Sequence, residues 1–109
     1  MTKVVFTRRG KSIVRVRCDG HTGYGVEGED IVCAALSSIV QTAVLGIMQL
    51  VGVNADYQVD NRDASLSLDI PKGISDSQRH DCDIILNTLL LGVNDLYQGY
   101  SDFIELEVN

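Results

Sequence analysis

The chain has 109 residues, 45% of them hydrophobic, and carries a net charge of −6. That length suits a single domain, residues 1–109, around one core, and no stretch reads as a linker, repeat or low-complexity run. Cys18, Cys33 and Cys82 are an odd number of cysteines without a C-x-x-C pair, which argues against a disulfide framework or a structural zinc site and favours reduced thiols.

The opening M-T-K-V-V-F-T-R-R-G lacks the apolar run of a signal peptide, so a cytoplasmic location is the expectation. Residues 3–7 and 12–18 are rich in β-branched side chains and flank R-R-G-K, whose Gly10 suits a tight turn. They predict a β-hairpin. Within its second strand, alternation puts Val14, Val16 and Cys18 on the core face and Ile13, Arg15 and Arg17 on the other.

Residues 31–53 carry no charge and predict a long helix. A membrane span is disfavoured, because Ser37, Ser38, Gln41, Thr42, Gly46 and Gln49 interrupt the run and acids rather than basic residues flank it. Val32, Leu36, Ile39, Ala43, Ile47 and Leu50 form one stripe, widened by Val40, Val44, Met48 and Val51. A helix this apolar must be buried on more than one side, so either it is central or its outer side meets another subunit.

Gly52 and Asn54 end that helix. A second hairpin follows, from A-D-Y-Q-V-D through N-R-D-A to S-L-S-L-D-I, with Leu66, Leu68 and Ile70 facing inward. Ser75 and Gln78 give a capping box for a second helix that buries Cys82, Ile85, Leu86, Leu89, Val93, Leu96 and Tyr97. His80 lies off that stripe among Arg79, Asp81 and Asp83 and reads as solvated. The closing strand alternates Ile104, Leu106 and Val108 with Phe103, Glu105 and Glu107, whose glutamates are expected to complement Arg15 and Arg17. The order is β-β-α-β-β-α-β, an α+β fold with two helices packed on one face of a five-stranded sheet.

Six of the nine basic residues precede position 18 and all fifteen acids follow it. A basic hairpin on an acidic body could contact RNA, the non-catalytic alternative for this chain. The simpler account pairs those arginines with acids on a neighbouring strand.

The chemical signal lies between Cys18 and Ser38. His21 closes a strand, Gly23, Gly25 and Gly28 mark a loop, and Asp30 is an expected N-cap that puts Cys33 third in the helix. There the helix dipole favours the thiolate, and the amides of Cys33 and Ala34 are candidate oxyanion donors. A protonated His21 would support the thiolate and later supply a proton to a leaving group. Ser37 lies one turn beyond Cys33 on the same face. Other chemistries fall away. Ile39 stands where a tyrosine phosphatase needs arginine, no phosphate or dinucleotide loop is present, and no second His or Cys completes a metal site, so no cofactor or metal is expected. On the residues alone, a catalytic Cys and His pair and a structural cysteine beside a loop histidine are both open.

G-H-T-G-Y-G at 20–25 and G-E-D-I-V-C-A-A-L-S at 28–37 closely resemble the signature of the ribosomal-processing cysteine protease (Prp) family. The resemblance implies His21 and Cys33 as the catalytic pair, with Asp30 and Ser37 at matching supporting positions. It implies a bacterial homodimer that removes the N-terminal extension of the twenty-seventh large-subunit ribosomal protein, with that precursor as its partner. Gly20, Gly23, Tyr24, Gly25 and Gly28 belong to the expected substrate loop, whose glycines suit closure over a bound peptide.

Overall fold

β-Branched residues at the chain's start build the first strand, which lies inside the sheet with a neighbour on each side. In the computed structural model, which describes residues 1–20, 29–60, 62 and 65–109, with backbone alone for Glu29 and Asp30, β1 spans Thr2–Arg9 and β2 spans Ser12–Gly20. Gly10 sits in the turn between them at φ 63, a left-handed conformation that disfavours side chains. The hairpin is the expected one, extended at both ends.

One local feature changes its phase. Thr7 pairs with Arg15 while Arg8 pairs with Ile13, so Val14 is an extra residue in the ladder. Ile13 is consequently fully buried and Val14 only partly so, the reverse of simple alternation. Val14 keeps a structural role through its carbonyl, which accepts the amide of Ile70 at 2.9 Å.

Helix α1 runs Glu29–Leu45 and continues as a π-helical segment over Gly46–Val51. Gly52 ends it at φ 80, donating its amide to the carbonyl of Ile47. Val32, Leu36, Val40, Ala43, Val44 and Ile47 enter the core. Leu50 does not. The π geometry closes hydrogen bonds five residues apart, so the wider turn takes Leu50 off the inner stripe and leaves it 87% exposed. By length and composition Ile31–Val51 would suffice to cross a membrane, but its inner side is part of a core shared with the sheet and the second helix.

Strands β3 (Asp56–Asp60) and β4 (Ser65–Asp69) form the second hairpin, with Leu66 and Leu68 buried as their alternation requires. Helix α2 spans Asp76–Gly99. At its start the Ser75 hydroxyl accepts the Gln78 amide at 3.1 Å, and the Gln78 side chain accepts the Ser75 amide at 3.0 Å. Cys82, Leu86, Leu89 and Val93 form its inner face.

Strand β5 (Ile104–Val108) completes a mixed sheet in the order β3-β4-β2-β1-β5, with both helices on one face. It runs parallel to β1, all other pairs being antiparallel. Glu105 therefore stands beside Lys3, and β1 separates β5 from Arg15 and Arg17. Those arginines meet other acids. Arg15 lies 3.6 Å from Asp69 on β4, and Arg17 lies 3.1 Å from Asp19 on its own strand.

Candidate active site

Of the three thiols, two are enclosed. Cys18 is 5% exposed in the core face of β2, where burial, reinforced by the charges of Asp19 and Cys33, pushes its thiol up to about 12. Cys82 is fully buried in α2 and is likewise pushed up by burial. Both are protonated at neutral pH and act as small apolar side chains. Cys33 is half-buried on α1, the thiol of the three that solvent reaches most readily.

Among the described residues Glu29 is already helical, one residue before the expected cap. Asp30 therefore lies inside the helix, and Cys33 is the fifth of its described residues. Two consequences follow. The dipole effect is concentrated in the first turn, so it acts less on Cys33 than a third-position placement implies. The amides of Cys33 and Ala34 fall where helical amides bond to carbonyls four residues back, and the unpaired amides of such a helix precede them.

What holds the sulfur is a residue from the sheet. Cys33 Sγ lies 3.1 Å from the Thr2 hydroxyl, and Thr2 is 2% exposed in β1. Thr2 pairs with Gly20, the last residue of β2, and with Ile104 of β5. Sequence reading began the first strand at residue 3 and passed over this contact. The available signal was phase, since Thr2, Val4 and Phe6 share one face at a spacing of two.

Ser37 is half-buried one turn beyond Cys33, and Ala34 is exposed. His21, Gly23, Tyr24, Gly25 and Gly28, and with them the expectation of a closing loop, lie outside the described residues; Gly20 is buried at the end of β2. His80 is solvated, with its Nδ1 3.1 Å from Asp81 on the exposed side of α2. A half-buried thiol at the edge of a helix and sheet, next to the point where the chain leaves β2, can act as a nucleophile toward an electrophile arriving from solvent.

A family model described as cysteine protease Prp matches residues 1–105. Two curated relatives bear the name ribosomal processing cysteine protease Prp. The one from Bacillus subtilis is 19% identical over 91% of this chain and 88% of its own length. The one from Staphylococcus aureus is 27% identical over 86% and 85%. Among solved structures, a ribosomal processing protease Prp from S. aureus in complex with a substrate peptide superposes with a TM-score of 0.87, at 24% identity over the whole of both chains. SMU.848 from Streptococcus mutans gives 0.86 at 27% identity, covering 99% of this chain and 93% of that one.

Proposed function

Because the chain belongs to the cysteine protease Prp family, we propose that it removes the N-terminal extension of the twenty-seventh large-subunit ribosomal protein, using Cys33 as nucleophile and His21 as acid and base. The observation that carries this reading is the juxtaposition at one end of the sheet. Cys33 is held by Thr2, Thr2 pairs with Gly20, and Gly20 is the residue bonded to His21.

The chemistry follows from these groups. The Cys33 thiolate attacks the scissile carbonyl carbon, and its oxygen takes up the negative charge. Collapse of that intermediate breaks the C–N bond, the His21 imidazolium gives its proton to the leaving amine, and an acyl thioester remains on Sγ. Neutral His21 then takes a proton from water, the hydroxide adds to the thioester, and the carboxylate product departs as sulfur is released. Asp30 and Ser37, within one helical turn of Cys33 on either side, are supporting positions, and the glycine-rich stretch around Tyr24 is the substrate loop.

The enzyme acts as a cytoplasmic homodimer in this reading. A groove of about 770 Å³ between the π segment of α1 and α2 is lined by apolar side chains including Ile39, Leu45, Leu50, Ile84 and Leu89. Leu50 and Ile84 are exposed in its lining, and Leu91 of α2 is exposed as well. A second copy of the same face supplies matching apolar surface. Of the hairpin's six basic residues, which the RNA-binding alternative would use, Arg15 and Arg17 lie beside Asp69 and Asp19, as the simpler account of those charges expects.

Incubation with the precursor ribosomal protein, followed by mass measurement, tests the activity. A product shortened at its N-terminus is expected, and an unchanged mass over many hours rules the activity out.

A further inference from the structure

We propose that Thr2 is a positioning residue for Cys33, its hydroxyl donating a hydrogen bond that fixes the sulfur in its attacking orientation; this rests on the reading of Cys33 as nucleophile. Thr2 is the one buried polar side chain among the described residues, on a strand face otherwise given to Val4 and Phe6. A buried hydroxyl costs free energy unless it is paired, and Cys33 Sγ at 3.1 Å supplies that pairing.

Either atom can donate while Cys33 is a thiol. Once it is a thiolate, the only proton left between them belongs to Thr2. The threonine must then donate, and a hydrogen bond to an anionic acceptor is stronger than one between neutral groups. The contact therefore tightens in the protonation state that reacts.

The donor is unusually well fixed. Its strand has neighbours on both sides, with Thr2 opposite Gly20 on β2 and Ile104 on β5. Its own amide donates to the carbonyl of Phe103 at 2.8 Å. Branching at Cβ limits the rotamers that carry the hydroxyl. Helix α1 thus receives, at Cys33, an anchor from an interior strand of the sheet, and the cysteine side chain is not left to choose among its own rotamers. Near-attack geometry is where such an anchor acts on rate.

Two variants and a control separate the alternatives. Thr2→Val keeps the shape and the β-branch and removes only the hydroxyl, whereas Thr2→Ser keeps the hydroxyl. Expected for Thr2→Val is a fall of about tenfold in kcat for precursor cleavage with KM nearly unchanged, and slower iodoacetamide modification of Cys33 at pH 7. Thr2→Ser should recover to within about threefold of the parent on both readouts. Thr2→Val at the parent rate overturns the proposal. So does Thr2→Ser as slow as Thr2→Val, which would assign the effect to packing. Cleavage retained by Cys33→Ala would instead sink the nucleophile assignment, and the modification rates would still report on the Thr2 contact by themselves.

Discussion

Thr2 and Gly20 face each other at the end of the β1–β2 ladder, and the residue bonded to Gly20 is His21. Replacing His21 by Ala should lower turnover at least ~100-fold, the scale on which general acid and base help is lost. Single-turnover cleavage of the precursor measures it. A His21→Ala enzyme within a few fold of the parent would leave Cys33 without its proposed partner.

Cys33→Ala and Cys33→Ser should both be inactive and both fold. They should differ in stability. Serine keeps an acceptor for the buried Thr2 hydroxyl, whereas alanine leaves it unpaired, so the serine variant should be the more stable by about 1 kcal/mol. Urea denaturation of the two, compared at one pH, checks the difference.

Cys18 makes stability depend on alkaline pH. Its folded thiol is pushed up to about 12, against 9.0 for an ordinary thiol. Between those values the unfolded chain releases a proton that the folded chain keeps, so stability falls as pH rises. The contribution is intact below about pH 9 and is lost toward pH 12, at a limiting slope of about 1.4 kcal/mol per pH unit. Cys18→Ala should therefore be less stable than the parent at pH 7, from lost packing, with the gap narrowing by pH 10.5. A gap independent of pH would contradict this. In the native state at pH 7, iodoacetamide should label Cys33 and spare Cys18 and Cys82.

A charge placed at Leu50 or Leu91, the two most exposed large apolar side chains among the described residues, should prevent self-association without unfolding the chain. Light scattering at micromolar concentration should give twice the chain mass for the parent and the single-chain mass for Leu50→Glu or Leu91→Glu. A parent that scatters as one chain would remove the dimer from the proposal.

The parts of the fold that depend on local chemistry were legible. Gly10 announced its turn, the Ser75 and Gln78 box opened α2, and the alternation of Leu66 and Leu68 set the phase of β4. What alternation alone did not reveal was any change of period. The bulge at Val14 and the π segment after Leu45 each add a residue to a repeat, and each sent a residue, Ile13 or Leu50, to the face opposite the expected one. Sheet order was illegible for another reason. Glu105 and Glu107 suited any basic strand, and only the fold places them beside β1 and not β2. In the candidate site, Cys33 and His21 are proposed from spacing and resemblance. Thr2 was not, because its role exists only through a contact spanning 31 positions.

The parallel pairing of β1 with β5 also sets an order of assembly. The first hairpin can form as soon as residues 2–20 are available, because its contacts are local and local contacts close early. Its outer edge stays unpaired until Ile104–Val108 arrives, and the amide of Thr2 waits for the carbonyl of Phe103. The anchor for Cys33 is therefore completed by a segment some hundred residues further along the chain. A chain still short of Phe103 carries Cys33 on a helix whose neighbouring strand is paired on one side only, so the contact between Thr2 and Cys33 gains its full support with the finished sheet.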